Sequence, residues 1–368
     1  MTARTDQTRT GTARTIISVD AMGGDQGPAA VVAGIAYSAQ KNPDIGFIVH
    51  GPGDELERLV AKRKGLKDRC EIRNAPDVVT MDDKPSSVVR HGRETSMWSA
   101  LESVRNGEAR VCVSCGNTGA LMLMSVLRLR KLPGIYRPAI AVMWPSQNPQ
   151  EHNIMLDGGA DIRADAKDLM QYALMGASYA RNGFGLERPR IGLLNVGTEE
   201  HKGRAELREA YDLIDANARI ADFEFVGFVE GRDLPGTVCD VIVTDGFTGN
   251  VALKTGEGTA KLVGDLLREA FAYSPLSRLA SVLAYTSLRR MKKRVDPRRA
   301  NGGVFLGLNG TVVKSHGSAD ATGVSSAIKL AFELAQSNFT ERLAARVASA
   351  ALLDQGESAE TTPDEETQ

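Results

Sequence analysis

Two lysines and one histidine of this chain stand in glycine-rich loops, where their charge is available to a small anion. Lys202 lies in NVGTEEHKG (195–203), Lys254 closes DGFTGNVALK (245–254), and His316 sits in GLNGTVVKSHGSAD (307–320). Amide and hydroxyl donors accompany them: Asn117 and Thr118 in GNTG (116–119), Asn195 and Thr198 ahead of Lys202, and Asn250 one helical turn before Lys254. Gly116, Gly119, Gly197 and Gly249 carry no side chain to hold a ligand off the backbone, so main-chain N–H groups can approach it. Amides with a few cations suit an anion with several oxygens, and phosphate is the first expectation. Plainer readings stand beside these: Lys254 as a solvent-facing helix residue, Asn117 and Asn250 as helix caps, and His316 as a turn-stabilising residue. Asp20, Asp157 and Asp245 each end an apolar run, and since a carboxylate repels phosphate, they read as loop organisers or caps.

The loops punctuate one repeated pattern. Six times an apolar run hands over to Gly, Asn, Thr, Ser and Asp ahead of a helical stretch: SVDAMGGDQGP, VSCGNTGALM, MLDGGAD, LLNVGTEEHKG, VTDGFTGNVALK and VKSHGSADATG. Strand, glycine-rich turn and helix in succession predict an open α/β sheet, whose ligands lie beyond the carboxyl ends of its strands. One crowded edge is therefore expected to hold the site. No G-x-G-x-x-G follows the first strand and no G-x-x-x-x-G-K-[ST] occurs, which argues against simple nucleotide binding.

Periodicity places strands near 15–19, 47–50, 70–73, 111–114, 139–144, 153–156, 191–194, 223–228 and 241–244. Helices are expected near 29–40, 54–64, 95–105, 117–131, 165–181 and 205–216. Asn309-Gly310 between FLGL and TVVK predicts a hairpin, so at least one antiparallel pair joins the sheet. The rhythm breaks over 262–300, where apolar residues recur at helical spacing without a strand. Arg289, Arg290, Lys292, Lys293, Arg294, Arg298 and Arg299 crowd the end of this stretch against Asp296 alone. A solvated helix end is the bland reading; a surface for anionic membrane or an acidic protein is the sharper one.

Composition narrows the classes. The net charge of −1 over 368 residues gives no global attraction to nucleic acid, and none is expected as a partner. Cys70, Cys112, Cys115 and Cys239 fit a reducing cytosol better than a disulfide framework, and the C-x-x-C at 112–115 lacks the second Cys/His pair a zinc site needs. No metal site is expected, and no apolar run approaches the ~18 residues of a membrane span. Residues 1–14 are Thr- and Arg-rich and 351–368 are acidic and poor in apolar side chains, so both are expected to be disordered tails around one domain, 15–350. The first tail also bears a loose likeness to a transit peptide.

The ordered set DAMGGD, GNTGALM, RPAIA, LDGGA, NVGTEEHKG, DGFTGNVALK and GLNGTVVKSHGSAD closely resembles the bacterial phosphate acyltransferases of phospholipid synthesis. The likeness runs in order from about 16 to 334 and leaves out only the tails. It implies a three-layer αβα sandwich with a mostly parallel sheet, related to the isopropylmalate dehydrogenase fold and bearing a helical excursion. It also implies transfer of a long acyl group from acyl carrier protein to inorganic phosphate without a cofactor. A cytoplasmic homodimer held peripherally at the membrane is implied too, feeding acyl phosphate to a membrane-bound glycerol-3-phosphate acyltransferase. Members of that family commonly carry Ala where this chain has Cys115, which weakens a thiol nucleophile. In such chemistry phosphate attacks directly, Lys202 and Lys254 supply charge, and His316 donates a proton to the leaving thiolate or orients phosphate. Three other readings stay open: a phosphotransacetylase-like enzyme using short acyl-CoA, a nicotinamide-dependent dehydrogenase, and a non-catalytic membrane or carrier-protein scaffold.

Overall fold

The computed structural model describes residues 14–295 and 302–345. Strand and helix alternate from the start: β1 (Thr15–Asp20), α1 (Gly27–Lys41), β2 (Ile45–Gly51), α2 (Gly53–Ala61), β3 (Cys70–Asn74), α3 (Pro85–His91), α4 (Ser96–Arg105), β4 (Val111–Ser114) and α5 (Thr118–Leu129). Next come β5 (Ala139–Pro145), β6 (His152–Leu156), α6 (Ala166–Phe184), β7 (Arg190–Leu194), α7 (Ala205–Ala218), β8 (Glu224–Val229) and β9 (Val241–Val243). Three helices in a row, α8 (Gly246–Ala272), α9 (Pro275–Leu283) and α10 (Tyr285–Val295), precede the hairpin of β10 (Gly303–Leu306) and β11 (Thr311–Lys314), which leads to α11 (Ala321–Gln336). The predicted strands are all present within a residue or two. Helix α3 went unforeseen, since PSSVVRH is too short to show a period. The predicted excursion starts earlier than expected, because the Asp245 side chain accepts from the Thr248 amide and caps a helix that runs unbroken to Ala272.

All eleven strands form one sheet in the order β3-β2-β1-β4-β11-β10-β5-β6-β9-β7-β8. Five of them, β3 to β11 in that order, run parallel to one another, and so do the four from β6 to β8. Between the blocks lie three antiparallel pairings, β11 with β10, β10 with β5 and β5 with β6, so the second block points opposite to the first. The expectation of one shared edge is corrected here: carboxyl ends of the two blocks leave opposite sides of the ladder. Sheet twist of about 20–25° per neighbouring pair turns β9 through roughly 80–100° relative to β11 over four steps, and this lets loops from both blocks meet.

Side chains alternate between the two faces. Val111 and Val113 join the larger core with α1, α6, α7 and α11, whereas Cys112 between them packs with residues of α3, α4 and α5 on the opposite face. The same alternation splits Val241 and Val243 from Ile242 in the second block. Helices therefore cover both faces, giving the expected three layers. Close packing sets local limits: a Cβ added at Gly34 of α1 would lie 2.6 Å from the Val324 Cβ of α11. By contrast, α8 buries only Gly246 and Gly249. Its remainder, with α9 and α10, bares Leu262, Leu266, Tyr273, Leu276, Leu279 and Leu283 among other apolar side chains. No helix among the described residues is long and apolar enough to cross a membrane. The expected tails lie outside the described residues, save Arg14, which donates to the Asp68 carbonyl at 3.0 Å.

Candidate active site

Three loops of the first block meet at the ends of β1, β4 and β11. Asp20, 1% exposed, organises them: Oδ1 accepts from the Ser96 hydroxyl at 2.7 Å and the Met22 amide at 3.1 Å, and Oδ2 accepts from the Ser114 hydroxyl at 2.7 Å. Ser114 Oγ in turn accepts from the Gly116 amide at 3.0 Å. The loops are laced by backbone as well, with Asp25 N–H donating to Gly317 O and Ser315 N–H to Ser114 O, both at 2.8 Å. A Cβ on Gly23 would lie 2.5 Å from the Gly116 nitrogen, so glycine is what allows the β1 and β4 loops to touch. Asn117 is fully employed: Oδ1 caps the Ala120 amide at 3.1 Å and Nδ2 donates to Met81 O at 2.9 Å, leaving Thr118 and Gly119 to open α5.

A second cluster forms at the ends of β6, β7 and β9. Asp157 is buried, and burial raises its carboxyl to about 6 even though amides of Ile140, Ala160, Asp161 and Gly159 donate to it. Asp245 caps α8 and pairs with Arg204. Asn195 is likewise occupied, accepting from the Val196 amide at 2.8 Å and donating to Lys202 O at 3.1 Å. Gly249 is a packing glycine rather than an open cradle, because a Cβ there would strike the Asp157 carbonyl oxygen. Gly197 is buried under the Lys202 stem, while Thr198 and Lys202 are exposed; Lys202 Nζ pairs with Glu199 at 2.6 Å. Asn250 is exposed, its Cβ within 3.3 Å of where a Gly159 Cβ would stand.

The two clusters join through α8. Lys254 Nζ lies 2.9 Å from Glu257 Oε2 and 3.2 Å from His316 Nε2, and Glu257 Oε1 stands 3.8 Å from the same ring nitrogen. His316 Nδ1 accepts from the Ser318 amide at 3.3 Å, with the Ser318 hydroxyl at 2.9 Å. Contacts with His316 and Lys254 hold the Glu257 carboxyl below the usual range. Sequence reasoning missed Glu257, although Asn250, Lys254 and Glu257 at i, i+4 and i+7 mark one helix face. It also missed Lys314, which ends β11 and is buried to 8% exposure.

The thiols are placed against nucleophilic work. Cys112, Cys115 and Cys239 are buried and free, and burial pushes all three upward, against the opposing pull of Ser315 and Lys314 on Cys115. No group of three or more metal-ligating side chains occurs among the described residues. Far from both clusters in sequence, Arg289, Arg290 and Lys292 lie exposed on α10. Lys293 is in the same helix with its side chain undescribed, and Arg298 and Arg299 lie outside the described residues.

Fold and loops together define an α/β protein whose two loop clusters meet where Lys254 of α8 touches His316. Solved structures share this architecture. A phosphotransacetylase from Streptococcus pyogenes superposes with a TM-score of 0.59 at 18% identity, over 88% of this chain and 94% of that one. A 4-hydroxythreonine-4-phosphate dehydrogenase from Klebsiella pneumoniae gives 0.50 at 12% identity, over 89% and 100%. At such identities the likeness shows the fold alone. Sequence carries the rest: the family described as "Fatty acid synthesis protein" matches residues 15–342, and the phosphate acyltransferase of Ruegeria pomeroyi is 72% identical over 98% of this chain and 97% of its own. The chain belongs to the phosphate acyltransferase family, and it is an enzyme.

Proposed function

We propose that this enzyme moves a long-chain acyl group from the thioester of acyl carrier protein to inorganic phosphate by direct attack. A phosphate oxygen adds to the thioester carbon, the carbonyl becomes an oxyanion, the C–S bond breaks, and acyl phosphate leaves with the thiolate taking up a proton. What supports this reading is the meeting of Lys254 and His316 beside amide-rich loops while every described cysteine near them is buried and protonated. Phosphate is already anionic at neutral pH, so the protein has only to hold it and stabilise the oxyanion. Lys254 and Lys202 supply charge, Asn250, Thr118, Thr198 and the amides of Gly119 and Gly197 offer donors, Gly116 leaves room for the anion, and His316 protonates the leaving thiolate or orients phosphate.

The resemblance supplies the setting of this proposal: a cytoplasmic homodimer, peripherally bound to an anionic membrane, passing acyl phosphate to a membrane glycerol-3-phosphate acyltransferase. The exposed apolar faces of α8, α9 and α10 and the basic Arg289, Arg290, Lys292 and Lys293 suit either membrane or an acidic carrier protein. One assay tests the core of the reading. Purified protein is incubated with palmitoyl carrier protein and phosphate, and acyl phosphate is trapped as hydroxamate. Product with palmitoyl carrier protein but not with acetyl-CoA supports it, and the reverse preference replaces it with a phosphotransacetylase. An acylated protein in mass spectra after incubation with the acyl donor alone would sink direct attack.

A further inference from the structure

Lys314 is a buried cation whose direct contacts are carbonyl oxygens. It lies opposite Ser114 in the β4–β11 register, and its Nζ donates to the Ser315 carbonyl and stands 3.4 Å from the Cys115 carbonyl. Among the described residues no carboxylate lies within 4.0 Å of it. Of the two carboxylates that act on it from a distance, Asp25 has the stronger pull, and Asp20 spends its oxygens on Ser96, Ser114 and Met22. An ammonium that has left water for two carbonyl dipoles is expensive to keep, and a native protein keeps one where something else brings the negative charge. The position specifies what that is. Lys314 sits under the loops that carry Gly116, Asn117 and Gly317, and His316, two residues on, touches Lys254 from the other block.

We propose that the Lys314 ammonium is a catalytic residue that contacts phosphate directly, forming the floor of the anion site beneath the β1, β4 and β11 loops. The inference deepens the function proposed above and rests on it. Phosphate held there faces Lys314 from below and Lys254 from α8, so that one dianion relieves the repulsion between two ammonium groups. Burial and, less strongly, that repulsion lower the Lys314 amine to about 8, while Cys115, Asp25 and Asp20 pull it up. The groups facing it are thus Asp20 and Asp25 after β1, Cys115 after β4, and Lys254 from α8, with His316 next along its own loop.

The test compares Lys314→Met and Lys314→Arg with the wild type in the acyl phosphate assay. Lys314→Met is expected to lower kcat/KM for phosphate by about 100-fold or more with KM for the acyl donor held within about threefold. Wild-type kcat/KM for phosphate should fall above pH 8, and in Lys314→Arg this fall should be absent because guanidinium stays charged. A second readout needs no acyl donor: inorganic phosphate should raise the melting temperature of the wild type and Lys314→Arg but not of Lys314→Met. Should the wild type make no acyl phosphate, the thermal shift still decides Lys314 while the function proposal falls alone. An unchanged phosphate response in Lys314→Met, or a defect confined to the acyl donor, overturns the inference. Lys314→Gln replaces the Met variant if that one does not fold.

Discussion

The loop cluster after β1, β4 and β11 and the cluster after β6, β7 and β9 are built on the same plan and differ in where they keep their positive charge. Each is tied together by a buried aspartate: Asp20 gathers two hydroxyls and an amide, and Asp157 gathers amides of four residues. In both, the conspicuous asparagines, Asn117 and Asn195, are consumed in holding backbone. The first cluster, however, buries its lysine, Lys314, whereas the second leaves Lys202 in solvent against Glu199. Carboxylates and asparagines shape the loops, and the cations are what remains to meet the proposed phosphate. Charge held in a dry wall acts at full strength, and charge held in water is screened.

The sharpest way to break that contrast is to remove the aspartates. Asp157→Ala leaves several buried amides without an acceptor at about 1–3 kcal/mol each, so we expect a loss of roughly 3–5 kcal/mol, read as a much lower midpoint in urea. A midpoint near wild type would mean that water or a neighbour takes over those amides. Next in size are the exposed cations: Lys254→Ala and Lys202→Ala should fold normally and lose about 100- to 1000-fold in turnover. If Lys202→Ala keeps wild-type rates while Lys254→Ala does not, the second cluster contributes shape and no charge.

A third prediction sets stability against function. Lys314 titrates near 8 in the folded protein and at 10.5 when unfolded, so between those values the unfolded chain binds more protons and wild-type stability rises with pH. Lys314→Met has no such rise. In phosphate-free buffer at pH 7 it should exceed the wild type by up to about 3 kcal/mol, at 1.36 kcal/mol per pH unit. A variant less stable than wild type across that range would show that the ammonium is well solvated where it stands. Smaller still, Glu257→Gln should lower turnover about tenfold by loosening Lys254 and His316, with a change in the pH profile that a merely structural residue would not give.

The smallest effect on turnover concerns the arm. Charge reversal at Arg289, Arg290, Lys292 and Lys293 removes on the order of 1 kcal/mol of attraction per residue near an anionic bilayer. Loss of vesicle binding with intact turnover assigns the arm to membrane, and a raised KM for the carrier assigns it to protein docking. If neither changes, the tip is a solvated helix end.

Most of the fold was legible because strand period, turn glycines and the Asn309-Gly310 hairpin are local signals. The opposed blocks were not, since strand direction depends on pairings between distant segments such as β5 with β6. At the site, Lys254 and His316 were singled out as loop residues, and the structure brings them within 3.2 Å of each other. Asn117 was read as a ligand contact or a helix cap, and it caps α5; Asn195 and Gly249 were read as ligand contacts, and the structure shows them holding backbone and admitting a carbonyl, roles with the same sequence signature. Lys314 escaped because a lysine after two valines looks like a frayed strand end, and only tertiary packing shows that it is enclosed.

Helix α8 runs from the loop clusters to the arm. From its Asp245 cap to Ala272 it is a single helix of 27 residues, about 40 Å long at 1.5 Å per residue, with Asn250, Lys254 and Glu257 in its first turns and bare leucines farther along. Only its first turns are anchored, through buried Gly246 and Gly249. Lys254 and the bare leucines therefore share one continuous backbone, and the length of α8 fixes how far the arm's apolar surface stands from His316.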